Sequence, residues 1–410
     1  MIKDKIQTVK IFLGDQEKEI ANLYYNLKGN RESCAFEYQQ NWIKTHGSFA
    51  LEKNLPLVYG PQYHKMGNTK SIFPNILSDT EPDGWAKQVI LRDYKKNKNS
   101  SVSSLNSLDF LLMVDDFSRI GALRLQNEKG EFTRSNLPPI IELKKILKAT
   151  NAIESHCETM KDLEYLRGKA TSLGGMRPKC SIIEEDGSLS LAKFPSVTDE
   201  RSISAGEILA LRLAKKAGIN AADARLLTIN NTQIAIIKRF DRDLHGNRIL
   251  YASAATILGA QTIDSNKLFT YTDIVDEMRR ISIHAQEEIE ELWRRIAFSI
   301  LINNVDDHLH NHGFLHVENG FWTLSKAFDI NPFPDKIRSL KTWISEKTGP
   351  DTSIEALLSV NKYFQISNDK AMEMLNRINN VIKNWKVDAK NLGMSSKDIK
   401  LYEDAFSKIK

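Results

Sequence analysis

Residues 303 to 313 read Asn-Asn-Val-Asp-Asp-His-Leu-His-Asn-His-Gly, and this polar run is the most informative stretch of the sequence. It follows an apolar-faced segment that predicts a helix, and it precedes the run Ala-Phe-Asp-Ile-Asn-Pro at 327–332. Asp306, Asn311 and Asp329 provide a carboxylate, an amide and a second carboxylate in that order. Phosphoryl transfer needs one group to orient the acceptor hydroxyl and hard oxygen ligands to hold Mg²⁺. The spacing therefore predicts a phosphoryl-transfer site.

A second interpretation of the same stretch uses its three alternating histidines. His308, His310 and His312, together with Asp306 or Asp307, could form the metal centre of a phosphohydrolase. The HExxH pattern of zincins is absent, and a hydrolase leaves the glycine-rich segment and strand lysine further upstream without a role. The sequence favours the first interpretation, a phosphoryl-transfer site of a kinase, and the hydrolase stays as the alternative.

The upstream segment Ser172-Leu-Gly-Gly-Met-Arg-Pro-Lys179 has the composition of an anion-binding loop. Gly174 and Gly175 let main-chain amides approach a phosphate, and Arg177 or Lys179 supplies positive charge. The segment is not a Walker motif, since GxxxxGK[ST] is absent. A plain turn before a strand would show the same pair of glycines.

A hairpin and a helix are predicted directly after the glycines. Strands at 180–183 and 189–194 flank a turn at 185–188, and Lys193 lies in the second strand. In the helix that follows, Ser204 is the expected N-cap, with Glu207 at the capping-box position and Gly218 as the stop. A glycine loop, a strand lysine and a helix glutamate in this order are typical of kinases. The alternatives are a solvent-facing lysine and a purely capping glutamate.

The remaining segments predict an α+β chain. Short strands are expected at 110–114 and 121–125, helices at 139–166, and a second hairpin at 225–229 and 233–240 turning at Asn230 and Asn231. The polar stretch 95–104 predicts an exposed loop, and helices are expected at 272–281, 287–303 and 369–385. We divide the chain into an N-terminal subdomain (1–138), a nucleotide-binding lobe (139–244) and a helical catalytic lobe (245–410).

The bulk composition is that of an ordinary globular protein. With 410 residues, 41% hydrophobic and 27% charged, the chain is long enough for two or three cores, and its net charge of +5 gives only a mild preference for acidic partners. Three widely separated cysteines argue against a disulfide framework and a thiolate zinc site, which favours a cytoplasmic location. We expect neither a signal peptide nor a membrane span.

The ordered set of motifs resembles the HipA family of bacterial serine/threonine kinases, the toxins of toxin–antitoxin pairs. The matching pieces are SLGGMRPK (172–179), LAKFPS (191–196), KRFDR (238–242), NNVDDHLHNHGF (303–314) and AFDINP (327–332). Residues 79–85 and 121–124 are similar to the N-terminal subdomain of that family. The resemblance implies a two-lobed fold of the protein-kinase and phosphoinositide-kinase type, with a mixed α/β N-terminal lobe and an all-helical C-terminal lobe.

The resemblance also implies roles for individual residues, with ATP and Mg²⁺ as cofactors. Asp306 would be the catalytic base, with His308 near the phosphates. The implied nucleotide and metal contacts are Gly174, Gly175, Lys179, Lys193, Glu207, Lys238, Phe240 and His308 for ATP, Asn311 for Mg²⁺, and Asp329 for both. Ser172 matches a serine that the family autophosphorylates to silence the kinase, and Thr171 is a rival acceptor. His310 stands where the family often has a lysine or arginine.

Family membership would also imply partners. The expected substrate is a protein, such as an aminoacyl-tRNA synthetase or another translation component. The expected inhibitor is a helix-turn-helix antitoxin, through which any DNA contact would be made indirectly. An inactive kinase-like binding module remains an alternative.

Overall fold

The computed structural model describes residues 5–16, 18–64, 71–82, 84–96, 104–133, 140–166, 175–260, 268–334, 339–351 and 353–407. The chain forms two compact units. The first comprises Met1–Val197, Asp241–Asn266 and Leu315–Gly320, and the second comprises Thr198–Phe240, Lys267–Phe314 and Phe321–Lys410. Most of the polar stretch at 95–104, together with Thr171, Ser172 and Gly174, lies outside the described residues.

The described part of the chain contains both strands and helices. The strands are β1 (Lys5–Leu13), β2 (Lys18–Lys28), β3 (Arg31–Tyr38), β4 (Gln62–His64), β5 (Leu123–Gln126), β6 (Lys179–Ile183), β7 (Leu189–Lys193), β8 (Ala224–Ile229), β9 (Thr232–Lys238), β10 (Tyr251–Ser253), β11 (Gly313–His316) and β12 (Trp322–Leu324). The helices are α1 (Gln40–Lys44), α2 (Asn75–Ser78), α3 (Gly84–Lys96), α4 (Ser107–Leu112), α5 (Leu143–Glu154), α6 (Met160–Leu166), α7 (Ile203–Lys216), α8 (Ala254–Leu258), α9 (Tyr271–Ile281), α10 (Ala285–Leu301), α11 (Ile354–Ser359), α12 (Asn368–Ile382), α13 (Trp385–Asn391) and α14 (Ser396–Leu401).

The first unit contains an antiparallel sheet in the order β4-β3-β2-β1-β5. Along β2, Ala21, Leu23 and Tyr25 are fully buried while the residues between them are partly exposed, which is the period-two pattern of a sheet with one face on a core. The hairpin β6–β7 and helices α5 and α6 occur where the sequence predicts them.

One predicted strand of this unit is a helix. The apolar run at 110–114 is not a strand, because Asn106 starts α4 with a capping box. The Asn106 side chain accepts a hydrogen bond from Asp109 N at 3.0 Å, and the Asp109 carboxylate accepts one from Asn106 N at 2.9 Å. This reciprocal cap satisfies two amides at the helix start, so the local signal for a helix outweighs the apolar run.

The second unit is built around α10. This helix buries Trp293, whose indole N–H donates to Asn361 Oδ1 at 2.9 Å. The predicted hairpin β8–β9 is confirmed, as are the helices predicted from residue 272 onward to within a few residues. The N-cap of α7 is Ser202 rather than the predicted Ser204, because Ser202 Oγ accepts from Ala205 N and the helix begins two residues earlier than the capping-box pattern indicates.

Candidate functional site

In the first unit, two lysines of the β6–β7 hairpin face each other. Lys179 and Lys193 are direct partners in the antiparallel register, so their side chains leave the same face of the hairpin. A Cβ added to Gly175 (φ +106°) would lie 2.6 Å from Lys179 Nζ, which shows that this ammonium lies against the glycine backbone. Like charges directly opposite each other destabilise a hairpin unless an anion compensates them. The arrangement therefore suits a phosphate.

The glycine-rich segment is anchored by the N-terminal motif at 79–85. Trp85 N donates a hydrogen bond to Gly175 O at 3.1 Å, and a Cβ on Gly84 would come within 2.2 Å of that same oxygen. Gly84 also has a positive φ of 40°, which side chains rarely adopt. The N-terminal part of the chain thus fixes the backbone at one end of the predicted anion loop.

In the second unit, the catalytic-loop candidate begins at the end of α10. Asn303 adopts a left-handed conformation (φ +56°), which turns the chain off the helix. Asn304 N donates to Ser299 O at 2.8 Å, and the Asn304 side chain accepts from Asn331 N at 3.1 Å. Asparagine tolerates the left-handed region better than most residues. The loop therefore starts at a defined point and is tied to the segment that carries Asp329.

Three predicted site residues lie on this loop and its neighbour. Asp306 is exposed, with a side chain 62% accessible. The amide nitrogen of Asn311 donates to Asp306 O at 3.3 Å, which leaves its amide oxygen as the atom available to a cation. Asp329 is left-handed (φ +53°), and its Oδ1 accepts from the Asn331 side chain at 3.3 Å. Amide and carboxylate oxygens are the donors that Mg²⁺ prefers, so the residue types fit that ion.

The chain segment before Asp329 pairs with residues 220–222. Ala327 N donates to Asn220 O and Ala327 O accepts from Ala222 N, both at 2.8 Å. Phe328 contacts Phe240, the predicted hinge residue, with ring centroids 5.4 Å apart.

The other site residues predicted in this unit lie on α7 and β9. Glu207 is buried within α7, and Lys238 is exposed at the end of β9. Gly175, Lys179 and Lys193 belong to the first unit, whereas Glu207, Lys238, Phe240, Asp306, His308, Asn311 and Asp329 belong to the second.

The three alternating histidines have three different surroundings. His308 Nδ1 is buried and has no hydrogen-bond partner among the described residues, and burial, followed by the nearby charge of His310, lowers the pKa of His308. His310 is exposed, while His312 is buried with its Nε2 3.1 Å from Asp307 Oδ1. Within the described ranges, no group of three His, Cys, Asp or Glu side chains could hold a metal ion. This geometry argues against the phosphohydrolase alternative.

Asp307 is the buried centre of a network that the sequence did not reveal. Tyr271 Oη donates to Asp307 Oδ2 at 2.6 Å, and Ser299 Oγ lies 3.4 Å from the same oxygen. Burial alone would raise the pKa of Asp307, but His312 and the hydroxyl of Tyr271 outweigh it and hold the pKa below its ordinary value. Burial and the carboxylate together raise the pKa of Tyr271 well above its ordinary value.

A second missed feature is the segment 340–345, which runs beside the loop. Lys341 N donates to Val305 O at 3.1 Å and Thr342 N to Asp307 O at 3.2 Å, while Trp343 O accepts from Tyr271 N at 2.9 Å. The side chain of Lys341 forms an exposed ion pair with Asp306. No motif in the sequence marks this lysine, because the pairing depends on how the two segments meet.

The fold and the polar loop place the chain among α+β proteins of the kinase type, and comparisons with known proteins agree. Residues 171–385, just over half of the chain, match the HipA-like C-terminal domain, and residues 15–126 match the HipA N-terminal domain. The chain therefore belongs to the HipA family.

The structure is similar to the HipA of Shewanella oneidensis, solved as a toxin–antitoxin complex with HipB and operator DNA. The match has a TM-score of 0.71 and 16% identity and covers 98% of this chain and 95% of that one, which confirms the predicted α+β, kinase-like fold class. The lobe predicted to be all-helical (245–410) nevertheless contains the short strands β10, β11 and β12. Two curated relatives are the Haemophilus influenzae "Putative kinase" (24% identity over 41% of this chain) and the Sinorhizobium fredii "Putative kinase Y4mE" (25% over 37%). The aligned stretch spans 55% and 40% of their lengths. No helix in the described part of the chain is long and apolar enough to cross a membrane.

Proposed function

We propose that this protein is an ATP- and Mg²⁺-dependent serine/threonine protein kinase. The observation that carries the proposal is the loop at 303–313, where Asp306 reaches solvent and the Asn311 side chain is bonded to the backbone of Asp306. Asp306 accepts the proton of the substrate hydroxyl, and Asn311 and Asp329 hold Mg²⁺. Bound Mg²⁺ would neutralise charge on the phosphates of ATP.

In the first unit, Lys193 and Lys179 bind ATP phosphates beside the amides of Gly174 and Gly175. The opposed register of the two lysines supports this role, because it concentrates positive charge on one face of the hairpin. Glu207 takes part in nucleotide binding, and the main chain at Lys238 and Phe240 contacts adenine. His308 contributes near the phosphates, where its lowered pKa favours the neutral imidazole.

Regulation and partners complete the proposal. Autophosphorylation of Ser172, or of Thr171 beside it, switches the kinase off, since a phosphate there competes with ATP for the same amides. The protein acts in the cytoplasm as the toxin of a toxin–antitoxin pair, and its substrate is a translation component. The likeness to a HipA solved with HipB and operator DNA supports a helix-turn-helix antitoxin as partner, with DNA contacted through it. We also propose that the chain divides into an N-terminal subdomain (1–138), a nucleotide-binding lobe (139–244) and a helical catalytic lobe (245–410).

The decisive experiment incubates the purified chain with γ-labelled ATP and Mg²⁺ in the presence of lysate proteins. We expect label on the chain itself and on a lysate protein. Asp306→Asn should bind ATP but transfer no phosphate, whereas Asp329→Asn should also weaken Mg²⁺-dependent ATP binding. Near-normal turnover by Asp306→Asn would refute its role as the base. Absence of both labelling and ATP binding would favour a kinase-like binding module.

A further inference from the structure

Asp307 and His312, the buried neighbours of the proposed catalytic and metal-binding residues, contact each other and close a short loop. Asp307 and His312 bracket four residues, and the contact of Asp307 Oδ1 with His312 Nε2 closes the loop between them at 3.1 Å. A short 3₁₀ turn at Leu309–Asn311 fills the interval. The two ends of the loop are therefore joined to each other by a side-chain contact.

Each fastening residue is adjacent in sequence to a proposed catalytic or metal-binding residue. Asp306 precedes Asp307, and Asn311 precedes His312. The side chain of Asp306 is 62% accessible whereas that of Asp307 is 6% accessible, so consecutive carboxylates point to solvent and to the core. Any movement of the buried pair would carry Asp306 and Asn311 with it.

Tyr271 connects this loop to a rigid helix. It is the first residue of α9, whose start is fixed by a capping box between Thr270 and Asp273. Its hydroxyl donates to Asp307 at 2.6 Å, and its ring packs edge-on against His312 with centroids 5.4 Å apart. Tyr271 thus contacts both ends of the loop.

We propose that Tyr271, Asp307 and His312 form a positioning tie that sets the separation and orientation of Asp306 and Asn311. The inference deepens the proposed kinase function and rests on it for the roles of those two residues. None of the three touches the reacting atoms; they act through their neighbours. A displacement of about 1 Å at reacting groups lowers turnover far more than it changes substrate binding.

Tyr271→Phe is the mildest test, since it removes one hydroxyl and keeps the ring. We expect kcat for protein phosphorylation to fall about tenfold, with KM for ATP changed less than about twofold. Tyr363→Phe is the matched control, because Tyr363 also donates to a carboxylate, that of Asp276, but at an exposed position of the same unit. The control should keep wild-type kcat. Wild-type kcat in Tyr271→Phe would overturn the proposal.

A pair of substitutions at His312 separates positioning from packing. Gln can donate a hydrogen bond to Asp307 in place of the His312 Nε2 contact whereas Leu cannot, and both remove the ring. We expect His312→Gln to retain at least about a third of wild-type kcat and His312→Leu to lose about a hundredfold. Equal losses in the two variants would show that the ring only fills space, which would contradict the tie.

Amide hydrogen exchange distinguishes failure of the tie from failure of the kinase assignment, because it requires no activity. In Tyr271→Phe, peptides covering 303–313 should exchange faster by about tenfold while those from the middle of α10 do not change. Faster exchange in a chain that never labels protein would sustain the tie and refute the proposed function. Unchanged exchange in the loop would refute the tie.

Discussion

Glu52 provides a quantitative test of the first unit, because its carboxyl group is buried there against neutral hydrogen-bond donors. It is 6% exposed, and its two oxygens accept hydrogen bonds from Ile76 N at 2.6 Å and from the Asn75 side chain at 3.2 Å, at the start of α2. Burial raises the pKa of Glu52 to about 8, those hydrogen bonds oppose the rise, and the negative charge of Asp79 adds to it. The perturbation is Glu52→Gln, which is neutral at every pH.

The direction of the pH dependence of stability follows from the number of protons that the folded and the unfolded protein bind. The folded pKa lies above the ordinary value of 4.5, so between these pH values the folded protein keeps a proton that the unfolded chain loses. The free energy of unfolding should therefore fall as pH rises through this range, by at most about 1.4 kcal/mol per pH unit and by roughly 4 kcal/mol at its upper end. Glu52→Gln should remove this slope. Its new N–H₂ can donate to Asn75 Oδ1, which is buried without a partner in the described residues, so the variant should cost below about 1 kcal/mol near pH 5.

The assay is urea denaturation of both proteins between about pH 5 and about pH 8, with the m value checked for constancy. We expect the free energy of unfolding of Glu52→Gln, relative to that of the wild type, to increase steadily as pH rises. Glu131→Gln is the matched control, since Glu131 is an exposed glutamate of the same unit and its replacement should leave the wild-type slope intact. If the wild type and Glu52→Gln lose stability in parallel, Glu52 is not a buried neutral acid and the reasoning is wrong.

Two further predictions concern the site. Lys341→Gln should lower kcat at least about fivefold by removing the cation paired with Asp306, and it should change stability by less than about 1 kcal/mol because the pair is exposed. Lys341→Arg should recover part of the rate. The control Lys386→Gln breaks a comparably exposed ion pair and should not alter kcat. Gly84→Ala should weaken ATP binding measured by titration, since its Cβ would strike the main-chain oxygen of the glycine-rich segment at 2.2 Å; Gly130→Ala, also at positive φ but with open space around it, is the control that should bind ATP normally.

Local patterns predicted the elements whose causes are local. The turn between β8 and β9 was predictable from Asn230 and Asn231, which adopt φ values of 47° and 65° as a two-residue hairpin turn requires. The run at 110–114 has the apolar content of a strand, but the capping box of Asn106 starts a helix there. The order of motifs also indicated the HipA family, since their spacing covers most of the chain beyond residue 170.

Contacts between distant segments could not be predicted in the same way. Tyr271 lies 36 positions before Asp307, and no periodicity or motif connects the two. The register that sets Lys179 opposite Lys193 depends on the turn geometry at 184–188. The sequence is compatible with several strand boundaries around that turn, and each would give a different register. The candidate site residues were found because their chemistry is unusual, while the residues that hold them are ordinary in type and are recognisable only by position.

The three histidines show why the sequence left two chemistries open. In a strand, residues at i, i+2 and i+4 share one face, so neighbouring members of the series His308, His310 and His312 could serve together as ligands of a transition metal. The 3₁₀ turn at Leu309–Asn311 breaks that alternation, with Asn311 N donating to His308 O at 2.8 Å. His312 is then directed to Asp307, while Asn311 is bonded to the backbone of Asp306. One local turn thus removes the geometry of a histidine metal centre and couples the amide to the segment carrying the exposed acid, which is the arrangement that phosphoryl transfer needs.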